Sequence, residues 1–237
     1  DGGGRAALPG CVRAGQVVWP VAVGGPGGVY EVGRNYGGSA GYGVKSRALN
    51  VRHVGCGDAW DVLAGVDSLI AKGRVGPARV GTMGWSQGGY ISAFLATHDA
   101  ARFKAISVGA GISDWMTYYV NTDITPFTRQ YLKATPWDDP EIYAKTSPIT
   151  YIKQAKTPTL IQHGATDQRV PLPNAYELYH GLQDNKVPTR LIGYQGFGGV
   201  GHGPSKPKSN RATMDHNLEW FDQYFFPTDP NPSKKLN

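Results

Sequence analysis

Apolar positions along this chain follow two spacings, which alternate from about residue 17 onward. Short apolar runs of strand character lie at 17–23, 79–83, 103–108, 158–164 and 189–194. Stretches of helical character lie at 60–72, 90–98, 173–184 and 210–225. Alternation of strands and helices is typical of an α/β protein, so we predict a mostly parallel central sheet flanked by helices.

Length and composition agree with a single domain. The chain has 237 residues, of which 40% are hydrophobic, and this is enough to bury one core. Residues 1–16 are glycine-rich and lack periodicity, so we predict an N-terminal arm there and one domain over 17–237. Apolar runs stay well short of the ~20 residues that span a bilayer, which predicts no membrane partner.

The charges and cysteines add little to this picture. The net charge is +6, but the basic residues are scattered and their longest run is Lys234-Lys235. A solvated surface explains this pattern, so no nucleic-acid partner is predicted. Cys11 and Cys56 are too few for a disulfide framework, and the cellular compartment stays open.

A G-x-S-x-G pattern centred on Ser86 lies between a predicted strand and a predicted helix. Strand, sharp turn and helix together form a nucleophile elbow, the strained turn that carries the serine of α/β-hydrolases. Gly84 and Gly88 leave room for the strand and the helix to approach, and Gly89 is expected to relieve the first helical turn. Ser86 is therefore predicted to project beside a helix N-terminus, which favours developing negative charge.

A nucleophilic serine needs a base and an orienting acid, which follow it in the order Ser, Asp, His in this fold. Asp167 lies in the turn after the strand at 158–164, and His202 lies in the loop after the strand at 189–194. Both residues therefore leave the carboxyl ends of parallel strands, at the same edge as Ser86. We predict a Ser86–Asp167–His202 triad.

Three other features suggest competing assignments. His163 is close to Asp167 but ends a buried strand, so a structural role is favoured, whereas Asp114 follows a strand and is the main alternative acid. The run at 196–201 matches G-x-G-x-x-G, a dinucleotide-binding motif that requires a helix to start there. Pro204 follows instead, and the glycines are interpreted as a flexible loop that carries the histidine.

Several motifs together resemble a known family. GWSQGGY at 84–90, HGATDQRVP at 163–171 and GHG at 201–203 resemble the catalytic domain of the prolyl oligopeptidase family, in its acylaminoacyl-peptidase and dipeptidyl-peptidase branch. NYGGSAGYG at 35–43 is similar to that family's Asn-Tyr-Arg-Gly-Ser-x-Gly-Tyr-Gly signature. The resemblance implies an α/β-hydrolase fold and hydrolysis of peptide, amide or ester bonds with neither a metal nor a cofactor.

The chain departs from the family pattern in its N-terminal quarter. VGGP at 23–26 stands where the family carries His-Gly-Gly-Pro, and a helix with part of the next strand is missing between Pro26 and Asn35. Gly37 replaces the usual arginine, and the histidine loop is lengthened. The family's N-terminal β-propeller is not expected within these 237 residues. These departures concern the substrate range rather than the triad.

Stabilisation of the oxyanion requires two hydrogen-bond donors. The first is expected to be the backbone N–H of Gln87, the residue after the nucleophile. The second is expected from the loop after the first strand, where Gly24 or Gly25 can present its N–H.

The substrate pocket is predicted from aromatic residues near the elbow. Trp115, Tyr118 and Tyr119 lie in a segment that, in the family, lines a hydrophobic pocket for the residue preceding the scissile bond, and Val170 completes the expected pocket. We therefore predict an apolar or proline-like acyl group. The predicted partner is a small peptide or ester substrate, and the protein is interpreted as a serine peptidase. A promiscuous carboxylesterase is the alternative, and a non-catalytic binding protein is disfavoured because all three triad positions are filled.

Overall fold

The computed structural model describes residues 21–25, 28–32 and 36–225, the first two ranges by their backbone only. The predicted arm at 1–16, the beginning of the strand predicted at 17–23, and Asn35 lie outside the described residues.

The described residues form six strands and eight helices. From residue 81 onward each strand is followed by one or more helices, as the sequence predicts, whereas the strand at 28–32, the helix at 43–48 and the helices between 115 and 146 were not predicted. The strands are Val21–Gly25 (β1), Gly28–Val32 (β2), Gly81–Trp85 (β3), Ala105–Gly109 (β4), Thr159–Gly164 (β5) and Thr189–Tyr194 (β6). The helices are Gly43–Ala48 (α1), Gly57–Ala71 (α2), Gln87–His98 (α3), Trp115–Asn121 (α4), Thr125–Leu132 (α5), Pro140–Thr146 (α6), Pro173–Asp184 (α7) and Pro207–Phe225 (α8). Short 3₁₀ segments lie at Ala100–Arg102 and Pro148–Gln154.

The central sheet consists of four parallel strands in the order β3-β4-β5-β6. β1 and β2 form a separate antiparallel hairpin. Because the four strands are parallel, their carboxyl ends meet at one edge of the sheet, which is where ligands bind in α/β proteins. The predicted fold class, a parallel sheet flanked by helices, is confirmed.

The two faces of the sheet are covered by different helices. A Cβ placed on Gly84 would lie 2.2 Å from the backbone of α3, whereas a Cβ placed on Gly81 would lie 2.7 Å from the ring of Phe221 in α8. Side chains alternate along a strand, so Met83 and Trp85 lie on the same face as Gly81. The face that carries Met83 and Trp85 is called here the α8 face.

The hydrophobic core is unevenly divided between these faces. The main cluster lies on the α3 side, and its largest fully buried members include Trp115, Tyr90, Tyr118, Tyr143 and Phe94. The cluster on the α8 face is small, with Ala105, Leu160 and Trp220 as its buried residues. Within the described part of the chain, α8 is therefore fixed by far less buried apolar surface than α3.

Gly89 has a different role from the one that the sequence suggests. Its backbone conformation is that of an ordinary helix, so no relief of the helical turn is needed. A Cβ at this position would instead lie 2.1 Å from the carbonyl oxygen of Gly109. Gly89 is required because α3 and the end of β4 approach too closely for any side chain.

Candidate active site

Ser86 occupies the sharp turn between β3 and α3. Its backbone has φ 59° and ψ −117°, a conformation that is strained for a residue with a side chain. The Ser86 N–H donates to the carbonyl of Gly109 at 2.9 Å, which fixes the turn against β4. The absence of a side chain at Gly84 allows the close approach of strand and helix that this turn requires. The local geometry is that of a nucleophile elbow.

His202 and Asp167 meet Ser86 at the carboxyl edge of the sheet. His202 Nε2 lies 2.7 Å from Ser86 Oγ, and His202 Nδ1 lies 2.8 Å from Asp167 Oδ2. The Asp167 side chain is inaccessible to solvent, and its Oδ1 accepts hydrogen bonds from the N–H groups of Arg169 and Val170 at 2.9 and 3.0 Å. A buried carboxylate held by these donors can fix the tautomer of the imidazole.

The competing residues have other partners. His163 is fully buried, and its Nε2 lies 2.7 Å from the carbonyl of Val170. Burial lowers the pKa of His163, so its neutral ring donates to that carbonyl and supports the turn beside Asp167. Asp114 caps α4 by accepting from the N–H groups of Met116 and Thr117. Both residues are engaged in the framework and neither contacts Ser86 Oγ.

The loop that carries His202 is held by the residue before the nucleophile. Trp85 Nε1 donates to the carbonyl of His202 at 2.8 Å. The loop itself is glycine-rich, and Gly196, Gly199 and Gly201 all have positive φ. Glycine-rich segments have more conformational freedom than others. The hydrogen bond from Trp85 therefore restricts this loop more than it would restrict a stiffer segment. Sequence reasoning missed this contact, because the two residues are 117 positions apart.

Gln87 follows the nucleophile at the first position of α3, where a backbone N–H has no partner within the helix. Its side-chain Nε2 donates to Asp58 Oδ2 at 3.3 Å, and Asp58 Oδ1 accepts from the N–H of Ala59 at 2.9 Å. Asp58 is fully buried in α2, and burial raises its pKa to about 7. The sequence analysis did not single out Asp58, since nothing in the local pattern shows that this carboxyl lies inside.

The two glycines expected to supply the second oxyanion donor are placed differently from the prediction. Gly24 and Gly25 lie within β1 and pair with Val29 and Gly28 of β2, whereas the sequence suggested a loop after the first strand. The physical reason is that β1 stays paired with β2 as far as Gly25, so both glycines lie inside the strand. A role of either N–H in the oxyanion hole stays a prediction.

A cavity of about 900 Å³ lies beside Ser86 and His202. One wall, called here the acyl wall, consists of Ile112, Tyr118, Ile124, Phe127 and Val170. Arg169 also lines the cavity, and its Nε donates to Asp123 Oδ1 at 2.8 Å. Tyr118 and Val170 thus lie where the sequence analysis expected them, while Ile124 and Arg169 were missed.

Trp115 and Tyr119 were expected in this pocket, and the structure places both elsewhere. Trp115 is fully buried behind Tyr118, with its ring 5.1 Å from that of Tyr90 and its Nε1 donating to the carbonyl of Thr146 at 3.1 Å. Tyr119 packs instead against the ring of Tyr143 at 6.0 Å. The short helix α4 turns these two side chains away from the cavity and towards the core and α6.

The second wall of the cavity, called here the α8 wall, lies on the α8 face of the sheet. It is formed by Met83, Trp85, the loop at 198–205 and the side chains of Met214 and Leu218 in α8. This wall could not be predicted from the sequence, because helical spacing at 210–225 does not reveal which residues face a cavity.

Comparisons with known proteins agree with this geometry. The sequence model of the prolyl oligopeptidase family matches residues 22–228, and the chain therefore belongs to that family. It is 27% identical over 198 residues to the acylamino-acid-releasing enzyme of Arabidopsis thaliana, a match covering 80% of this chain and 26% of the relative. The chain thus spans about a quarter of that relative's length.

Solved structures show the same likeness. The uncomplexed acylaminoacyl peptidase of Pyrococcus horikoshii superposes with a TM-score of 0.74 at 29% identity, over 81% of this chain and 32% of that one. An acylaminoacyl peptidase in complex with Z-Gly-Gly-Phe-chloromethyl ketone gives a TM-score of 0.75 at 29% identity, over 81% and 31% of the two chains. The α/β-hydrolase fold implied by the sequence motifs is confirmed.

Proposed function

We propose that this chain is the catalytic domain of a serine peptidase that cleaves small peptides through an acyl-enzyme on Ser86. The array of Ser86, His202 and Asp167, with contacts of 2.7 and 2.8 Å, is the observation that supports this most directly. Membership of the prolyl oligopeptidase family supports it independently.

Each side chain has a defined role in the proposed reaction. Ser86 Oγ attacks the substrate carbonyl carbon while His202 Nε2 takes the hydroxyl proton, and Asp167 stabilises the resulting imidazolium. His202 then gives that proton to the leaving amine as the bond to the carbonyl carbon breaks. A water molecule, deprotonated by His202, releases the acyl group and restores Ser86. The N–H of Gln87 is proposed as one oxyanion donor, with Gly24 or Gly25 as the second.

The acyl wall supports an apolar residue before the scissile bond. Tyr118, Phe127 and Val170 present aromatic and aliphatic surface close to Ser86, and the only charged side chain beside them in the described lining, Arg169, is paired with Asp123. One structural relative is complexed with a chloromethyl ketone that carries phenylalanine next to its reactive group. We propose that phenylalanine-like acyl groups are preferred over glutamate.

A carboxylesterase is the second candidate, and the glycine-rich histidine loop is the observation that favours it. Amide cleavage requires firm placement of His202 to protonate the amine, whereas an alcohol leaving group needs less assistance. A p-nitrophenyl ester and a p-nitroanilide with the same acyl group separate the two candidates, since an esterase hydrolyses only the ester at a useful rate.

Replacing the nucleophile tests the proposal as a whole. Ser86→Ala is expected to lower kcat by at least about 10⁴-fold, because acyl transfer to the serine is lost. Ser68→Ala, at an exposed site in α2, is the matched control and retains wild-type kcat. Far-UV circular dichroism establishes that both variants fold. Wild-type turnover by Ser86→Ala would contradict the proposed mechanism.

A further inference from the structure

The cavity beside Ser86 has walls that belong to opposite faces of the sheet. In the acyl wall, Ile112, Tyr118 and Val170 are members of the main core cluster, and Phe127 packs against it. The second wall carries Met83 and Trp85, whose side chains lie on the α8 face with α8 beside them. A substrate bound across Ser86 therefore contacts one wall of the cavity on each side of its scissile bond.

His202 belongs to the second of these walls. Its carbonyl accepts the hydrogen bond from Trp85, so the histidine backbone is anchored on the α8 face of β3. In acyl transfer the imidazole that takes the serine proton returns it to the leaving group. The leaving group must therefore lie within reach of His202 Nε2, on the side of the α8 wall, while the acyl side chain occupies the opposite wall.

The α8 wall presents two exposed apolar side chains, Met214 and Leu218, among the neutral polar side chains of Asn210, Thr213 and Asn217. Met214 and Leu218 lie one helical turn apart in α8, and each is 52% exposed. They differ in this from the buried apolar residues of the sheet. Among the described residues between 198 and 218 that line this wall, none is an aspartate, a glutamate, a lysine or an arginine. An uncharged apolar group thus gains contact there, and a charged group loses hydration without finding a counter-charge.

The position of α8 is set before a substrate binds. Ser107 Oγ and Gln162 Nε2 both donate to Asn217 Oδ1, at 2.6 and 2.8 Å, and they join the helix to β4 and β5. Asn217 lies between Met214 and Leu218 in the chain, so this polar contact fixes the segment of α8 that carries the two apolar side chains. A preformed wall favours binding because little side-chain entropy is lost.

We propose that Met214 and Leu218 form the leaving-group subsite, which selects amines or alcohols with an aliphatic side chain. This proposal rests on the proposed serine peptidase function and adds to it a choice of residue after the scissile bond. It predicts that the selectivities for the acyl group and for the leaving group are determined by different walls.

Two substrate pairs and three variants test this proposal. The leaving-group ratio is kcat/KM for N-acetyl-Phe-Leu-amide divided by kcat/KM for N-acetyl-Phe-Gly-amide. In the wild type this ratio is expected to be about ten, because the leucine side chain of the substrate is partly buried against the α8 wall. Leu218→Gln is expected to bring this ratio to about two or less. The acyl ratio, Phe against Ala before a fixed leucine amide, is expected to stay unchanged in that variant.

The controls separate local effects from general ones. Leu49→Gln changes a leucine that is 60% exposed and outside the cavity, and it should leave both ratios unchanged. Phe127→Ala should lower the acyl ratio and preserve the leaving-group ratio. Met214→Gln provides a second variant of the α8 wall, and thermal melting establishes that all variants are folded.

The outcomes distinguish this inference from the function on which it rests. A wild-type enzyme that turns over these amides, or the corresponding N-acetyl-Phe methyl and isoamyl esters, supports the function. If Leu218→Gln and Met214→Gln then leave the leaving-group ratio at its wild-type value, the subsite is wrong while the function stands. If the wild type cleaves neither series, both proposals fail.

Discussion

Asp58 couples the stability of the protein to pH because it is a buried carboxyl that has no cationic partner in direct contact among the described residues. Its pKa rises from 3.8 to about 7, chiefly through burial. Between these two pKa values the folded state keeps a proton on Asp58 that the unfolded state releases. The contribution of Asp58 to the free energy of unfolding therefore falls as the pH rises from about 4 to 7.

Asp58→Asn removes this ionisation and is expected to flatten the pH dependence. Relative to wild type, the variant should gain about 2–3 kcal/mol in free energy of unfolding between pH 5 and pH 8, at 1.36 kcal/mol per unit of pKa difference. Urea titrations at both pH values measure this gain. Asp184→Asn, at an exposed position, is the control. An identical pH slope for wild type and Asp58→Asn would show that the buried carboxyl does not ionise in this range.

Asp167 and Asp114 offer a direct test of which acid serves the triad. Asp167→Asn should lower kcat by about 10⁴-fold, because an amide at this position stabilises the wrong tautomer of His202. Asp114→Asn should leave kcat unchanged, since asparagine caps a helix as well as aspartate does. The reverse pattern of losses would assign the acid to Asp114.

At the scale of elements, α4 carries aromatic residues with two separate functions. Trp115 is fully buried, and Trp115→Ala should lower the free energy of unfolding by about 3–5 kcal/mol through the cavity it leaves. The folded fraction of that variant should keep the wild-type preference for Phe over Ala acyl groups. A changed preference without a loss of stability would place Trp115 at the substrate after all. Chemical denaturation and kcat/KM ratios measure the two effects.

The packing of α3 on the sheet depends on one glycine that has no backbone role. Gly89→Ala is expected to destabilise the protein by more than about 2 kcal/mol, because its Cβ would lie 2.1 Å from the backbone oxygen of Gly109. Gly57→Ala is the matched control in α2, where a Cβ meets nothing within 4 Å. That substitution should be neutral or stabilising by up to about 1 kcal/mol. Equal melting temperatures for the two variants would contradict the close approach.

Some of these elements follow from local sequence and others do not. The helix at 173–184 agrees with α7, because Pro173 fits the first turn and apolar residues keep helical spacing through Leu182. The pocket residues of α4 could not be chosen, since Trp115, Tyr118 and Tyr119 are all aromatic within about one turn. Which of them faces the cavity depends on how α4 packs against α3 and α6, which lie far away in sequence.

The three proposed triad positions could be chosen because a parallel sheet gathers the carboxyl ends of its strands. Ser86, Asp167 and His202 each follow such a strand, and the order of residues matched the fold. The contacts that support them, from Trp85 to His202 and from Gln87 to Asp58, join segments without any shared local pattern. They become visible only when the strands are assembled.

At the scale of the whole molecule, the described residues bury more apolar surface on one face of the sheet than on the other. α8 rests on a small cluster around Trp220, whereas α3 is enclosed by the main core. His202 lies in the loop that joins β6 to α8. We therefore expect urea to abolish hydrolysis at a lower concentration than it abolishes the far-UV circular dichroism of the sheet and remaining helices. Coincident transitions would instead indicate that α8 unfolds only with the whole domain.

The division of the cavity between two faces has a consequence for how this protein can change. Substitutions that lie far apart and share no partners have additive free energies. Phe127 and Leu218 line one cavity but have separate supports, since Phe127 rests on the main core and Leu218 projects from α8 on the other side of the sheet. A lineage under selection, or a protein engineer, could therefore alter one specificity without first repairing the other, and single-site libraries at the two walls could be combined without screening every pair.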